Sequence, residues 1–264
     1  MNNAYTVANR TDASDLPVVR KITFADLRDA LAQGMDDFMA KPTHIIVIGV
    51  LYPLIGLVLA RLAFGYDVLP LVFPLIAGFT LLGPLAAIGF YELSRRRELG
   101  LEMSWSAVSG IFRSRSRRAI ITLGLVLLAL FVAWLWTAQL IYTQIFGDVP
   151  PQSLAGFADQ IFETPEGIRL MIIGNAVGFV FAAVIFSISV VSFPLMLDRD
   201  VSAVVAAVTS LKAVAANPLP MAAWGFIVAA TLVIAATPFF LGWAVAVPLL
   251  GHATWRLYRR TIEH

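Results

Sequence analysis

Long apolar blocks almost free of charge alternate along this chain with short segments that hold nearly all of its basic residues. That alternation constrains the fold more than any motif does. Of the 19 Lys and Arg, 17 fall on one side if each apolar block crosses a membrane once. The composition agrees: 59% hydrophobic and 14% charged residues, with a mean hydropathy of +0.82. Soluble domains run nearer 45–50% apolar and about 25% charged.

A spanning helix takes roughly 20 apolar residues, and the pattern predicts six. The first runs from about His44 to Phe64 and the second from Val68 to Tyr91, joined by Gly65, Tyr66 and Asp67. The third, Ala119 to Phe146, and the fourth, Ile168 to Leu197, are long enough to tilt or project. The last block, Leu219 to Tyr258, would measure about 60 Å as one helix. It must therefore fold back, and Thr237 and Pro238 are the expected turn. This divides the chain into an N-terminal arm (1–43), a six-span domain (44–258) and a short tail (259–264). The expected class is an all-α polytopic bundle.

The basic residues set the orientation. They gather in the arm (Arg10, Arg20, Lys21, Arg28, Lys41), between spans two and three, between spans four and five (Arg199, Lys212), and after span six (Arg256, Arg259, Arg260). The opposite connections carry Asp67, Asp148, Asp159, Glu163 and Glu166 without Lys or Arg, and only Arg61 and Arg169 lie near that side. Both termini are expected in the cytoplasm, with the bacterial inner membrane as the location. The forty or so residues before the first span lack a signal-peptide pattern, so that span is expected to direct insertion. No cysteine is present, which removes disulfides and thiolate ligands within the chain.

Amphipathic segments flank the spans. Thr23 and Asp26 have capping-box spacing, with Asp in place of Glu or Gln. Phe24, Leu27, Leu31, Met35 and Phe38 then recur at helical period, which predicts a helix along the membrane surface. Leu154, Phe157, Ile161 and Phe162 predict a short interfacial helix on the opposite side. The segment after span two (Trp105, Val108, Ile111, Phe112) resembles the one after span four (Val205, Val208, Leu211). With a three-residue deletion in the second loop, Phe90 aligns on Phe193 and Val108 on Val208. That predicts a duplicated helix pair related by an axis along the membrane normal.

The run FPLIAGFTLLGPLAAIGFYELSRRRELG, Phe73 to Gly100, resembles the signature stretch of a bacterial family of integral membrane proteins catalogued as a domain of unknown function. Pro17 to Phe38 is similar to that family's N-terminal helix. The resemblance implies a six-helix inner-membrane protein and no established activity. Some members carry an oxidase-subunit label, but His44, His252 and His264 are too few for a haem-copper centre.

Candidate sites are sparse. Arg95, Arg96, Arg97, Arg115, Arg117 and Arg118 are placed to meet anionic lipid headgroups, although positive-inside bias also accounts for them. Gly174, Gly178 and Ala182 form a small-residue stripe suited to close helix packing. His44 and His252 could approach each other if spans one and six pack together. No catalytic, metal or cofactor grouping is expected, because no acid, base and nucleophile pattern stands out. The expected role is a non-enzymatic accessory or scaffold component contacting membrane lipids, with a protein partner or a second copy possible and nucleic acid excluded for want of a basic domain. The alternative is a transporter or lipid-handling protein with a cavity between the repeats.

Overall fold

A computed structural model describes residues 16–41, 57, 69–148, 151 and 153–263. The expected first span and its Arg61, like His44 and His264, lie outside the described residues. Among those described the fold is all-helical, apart from one antiparallel bridge between Val19 and Ile262.

Helix α1 (Phe24–Ala40) starts where its box predicts: the Thr23 amide donates to Asp26 Oδ2 at 2.8 Å and the Asp26 amide to Thr23 Oγ1 at 3.4 Å. The second apolar block is not one helix. It breaks into α2 (Leu69–Leu81), α3 (Gly83–Ala86) and α4 (Ile88–Glu98), because Pro84 has no N–H to continue the ladder and opens a new helix instead. Pro74 lies inside α2, and its carbonyl accepts the Trp134 indole N–H at 2.9 Å. After α5 (Trp105–Ser109) and a 3-10 turn (Gly110–Arg113), α6 (Arg117–Phe146) runs to the far side. There α7 (Leu154–Phe162) forms the predicted short helix, capped by Ser153. The chain returns through α8 (Pro165–Ser189) and α9 (Ser192–Asp198), follows α10 (Ala203–Ala216), and crosses again as α11 (Pro218–Ala236). It turns at residues 237–242, where Phe239 and Phe240 take left-handed φ of 50° and 62°, into α12 (Trp243–Thr261).

Three of the described helical stretches are long and apolar enough to cross a membrane: Arg117–Phe146, Pro165–Asp198 and Pro218–Ala236. Their outer faces carry exposed Leu125, Trp136, Ile172, Phe179, Phe226 and Val233, as expected where lipid is the solvent. The expected sixth span differs. Only Trp243 to Gly251 of α12 is apolar, about 14 Å at 1.5 Å per residue. The helix is instead enclosed by protein along nearly its whole length, with Trp255, Leu257 and Tyr258 each 1% exposed.

Among the described elements, α1 packs most extensively on α12. Gly34 permits it, since a Cβ there would stand 2.6 Å from the Ala253 backbone nitrogen. Leu27 and Phe38 are buried on that face, a gain of about 1.5–3 kcal/mol each. The predicted apolar stripe thus splits. Leu27 and Phe38 join Ala30, Gly34 and Asp37 on the buried face, while Phe24, Met35 and Met39 stay exposed on an adjoining one. The tail is not free either. The Arg20 amide donates to Thr261 at 2.8 Å and the Glu263 amide to Val18 at 3.0 Å. Asn217 clamps the same strand, accepting from the Ile22 amide and donating to the Arg20 carbonyl, both at 2.9 Å. The N-terminal arm and the C-terminal end are therefore joined at one end of the bundle.

Some element starts fit the expected duplication. The first expected copy restarts a helix at Ile88 before Phe90, and the second at Ser192 before Phe193; α6 and α11 begin at Arg117 and Pro218. The copies diverge between, where the first has a short helix and a 3-10 turn and the second a 14-residue helix. In the first, Ser109 donates to the Ser106 carbonyl at 2.6 Å and Ser104 bonds Ser106 at 2.6 Å, local bonds that compete with regular helix.

Candidate functional site

At the basic end, three earlier segments each send one carboxylate to the last turns of α12. Asp37 comes from α1, Glu98 from the end of α4 and Asp198 from the end of α9. They meet Arg256 and Arg259, which are one turn apart on one helix face.

Asp37 is the centre. It is fully buried and accepts from Arg97 Nη1 at 2.6 Å, Arg256 Nη2 at 2.7 Å, Arg256 Nε at 2.8 Å and Ser94 Oγ at 2.7 Å. A carboxylate offers roughly four lone-pair directions, and all are used. Burial alone would raise the Asp37 pKa. The hydrogen bonds from Arg256 and Ser94 and the charge of Arg256 outweigh it, holding the carboxyl below its ordinary 3.8. Arg259 reaches Glu98 at 2.7 Å and Asp198 at 3.4 Å, Tyr258 donates to Asp198 at 2.7 Å, and the Trp255 indole donates to Glu98 at 3.0 Å.

Ser94 links this hub to His252, whose Nδ1 lies 2.8 Å from Ser94 Oγ. The one hydroxyl proton goes to Asp37, so His252 Nδ1–H is the donor to Ser94. Its Nε2 is buried without a hydrogen-bond partner, and Phe90 packs edge-on to the ring at 5.7 Å. Ser94 is itself fully buried, so this cluster offers no reachable nucleophile.

Two apolar cavities flank α3. One of about 240 Å³ lies between α3–α4, α8, α11 and α12, walled by Pro84, Phe90, Phe186, Trp224, Trp243 and Val247 among others, with no charge among the described residues of its lining. The other, about 560 Å³, lies between α3–α4, Trp105 and the first turns of α6, and Arg117 is the one charged residue in its lining.

The sequence-predicted residues separate accordingly. Arg97 is held by Asp37, and Arg95 pairs with Glu92 at 3.2 Å. Arg96 donates to the Glu102 carbonyl at 2.6 Å. Arg115, Arg117 and Arg118 are exposed at the head of α6. Of the small-residue stripe, Gly178 is met by Trp134, to which a Cβ would stand at 3.0 Å, and Ala182 is half-buried. A Cβ on Gly174 would meet nothing within 4 Å, so that end of the stripe makes no close contact. His252 is engaged by Ser94. Sequence reasoning missed Asp37 altogether, and the one available signal was a charge beside Phe38 in an otherwise apolar period. It also read Arg256 and Arg259 only as markers of orientation.

No curated protein and no solved structure matches the chain. Residues 72–198 match the family model described as predicted integral membrane protein (DUF2189). That segment runs from α2 through α9, contains the motif with Gly83–Pro84 and Tyr91 to Arg97, and includes two of the three apolar spans. By that match and by its long apolar helices, the chain is an integral membrane protein whose residues 72–198 are similar to a family of unknown function.

Proposed function

We propose that this protein is a non-enzymatic accessory or scaffold component of the bacterial inner membrane, with both termini in the cytoplasm. The observation that carries the reading is the hub on Asp37. Together with the pairs of Arg259 to Glu98 and Asp198, it ties α1, α4 and α9 to the last helix at the basic end. A carrier that rocks its halves against each other must release such contacts in every cycle, whereas a scaffold keeps them. Positive-inside bias assigns that end to the cytoplasm. The outward stripe Phe24, Met35 and Met39 on α1 is then positioned at the cytoplasmic interface for lipid or a protein partner.

Co-purification of the full chain from native membrane in mild detergent tests the reading. A partner in fixed stoichiometry is expected, chromosomally tagged and recovered reciprocally. A monodisperse protein without partner that equilibrates a solute across vesicles refutes it. A reporter fused at Asp159 and read as cytoplasmic refutes the orientation.

One observation favours a second reading, the handling of a neutral amphiphile. The 240 Å³ cavity lies where the duplicated halves meet and is lined by apolar side chains. An amphiphile retained there through purification, and lost in Val247→Trp, would support it.

A further inference from the structure

The larger cavity has a direction. On α6 its lining runs from Arg117 through Ile120, Gly124 and Leu125 to Leu128. That is about 16 Å along the helix at 1.5 Å per residue, close to the half-thickness of a roughly 30 Å hydrocarbon core. Its cation is at the basic end, where Arg115 and Arg118 are also exposed, and the rest of its lining is apolar. Its volume of about 560 Å³ lies within the range of roughly 300–1,000 Å³ typical of ligand sites.

Two contacts shape this groove. Gly124 lets Leu85 of α3 pack close against α6, since an added Cβ would stand 3.2 Å from it. Trp105 closes one wall, packed against Gly89 and edge-on to Phe90 at 5.9 Å. Leu125 and Leu128 are 60% and 45% exposed, so among the described residues that side of the groove is uncovered.

We propose that this groove is a binding site for one anionic phospholipid of the basic-side leaflet, with an acyl chain between α3–α4 and α6 and the headgroup phosphate at Arg117, flanked by Arg115 and Arg118. A zwitterionic lipid fits the apolar part equally well. The cluster of three arginines at the mouth selects net negative charge, each being worth about a fivefold preference near a membrane surface. The site rests on the membrane reading of the chain and is independent of whether the protein is a scaffold.

The test uses the full chain purified in mild detergent and exchanged into nanodiscs of phosphatidylcholine with increasing phosphatidylglycerol. Native mass spectrometry counts the lipids retained. Retention of one phosphatidylglycerol per chain in preference to phosphatidylcholine is expected. Arg117→Gln should weaken it about fivefold and Arg117→Gln with Arg118→Gln about 25-fold. Leu125→Trp, which fills the exposed side of the groove and leaves the arginines in place, should abolish the retained lipid while the protein stays monodisperse. Brominated phosphatidylglycerol should quench a fluorescence component that Trp105→Phe lacks. Equal retention of both lipids, or retention unchanged in Leu125→Trp, overturns the site and leaves only surface attraction. A dimer crosslinked through Leu125→Cys would also overturn it, since a second copy would then fill the groove.

Discussion

Asp37→Asn preserves the size of the side chain, removes its charge and turns one of its two acceptor oxygens into a donor, so its effect combines the loss of the ion pairs with the loss of two of the four hydrogen bonds. In the wild type the carboxylate is fully buried and holds Arg256 through two bonds at 2.7 and 2.8 Å and Arg97 through one at 2.6 Å. The Arg256 side chain is only 16% exposed, whereas that of Arg97 is 38% exposed. Removing one partner of a buried pair costs about 3–5 kcal/mol because the other charge is left uncompensated. Arg97 can turn to water, so its share is small. Glu98 stays 3.8 Å from Arg256 and offsets part of the loss. The expected destabilisation is therefore about 3 kcal/mol, roughly two orders of magnitude in the folding equilibrium. Reversible unfolding of the full chain in mixed micelles, followed by tryptophan fluorescence, measures it. A companion variant, Asp37→Leu with Arg256→Met, replaces the pair by apolar groups and should recover at least 1 kcal/mol relative to the sum of its single changes. A loss under about 1 kcal/mol for Asp37→Asn, or strict additivity in the cycle, would refute the claim that this pair fastens α1 to α12.

Three other outcomes are expected. Because the Asp37 carboxyl is held below its ordinary 3.8, the stability it contributes is complete above that value and is lost as pH falls through the lower folded value. The wild-type curve should accordingly drop more steeply than that of Asp37→Asn below about pH 4, measured by the same unfolding assay. Gly34→Ala should destabilise by about 1–3 kcal/mol through its clash with Ala253, whereas Gly174→Ala, facing open space on α8, should be neutral or stabilise by about 0.5–1 kcal/mol through helix propensity; thermal melts of the pair decide it. Asn217→Ala removes the clamp on Arg20 and Ile22, at a cost of about 1–3 kcal/mol, and should make the peptide bonds after Arg20 and Lys21 sensitive to trypsin under native conditions. Unchanged protection there would mean that the bridge to Ile262 suffices alone.

The sequence by itself determined that the chain is a helical membrane protein, where the long apolar helices α6, α8 and α11 lie, where α1 begins, and that the chain reverses near Pro238. Each depends on local quantities: hydropathy summed over about 20 residues, a cap within four residues, or a proline that cannot donate. The duplication expected from the sequence has similarly placed helix starts at Ile88 and Ser192, while the segments that follow them differ. Only the tertiary structure decided what the charges near the membrane do. Asp37 and Arg256 are 219 residues apart, and no local pattern distinguishes an aspartate destined for burial from one on a solvated face. Its fate depends on Gly34 letting α1 approach α12 and on α4 bringing Ser94 and Arg97 to the same point. The two arginine clusters, alike in sequence, are separated for that reason: Arg97 completes a buried pair, while Arg115, Arg117 and Arg118 stay exposed beside an apolar groove.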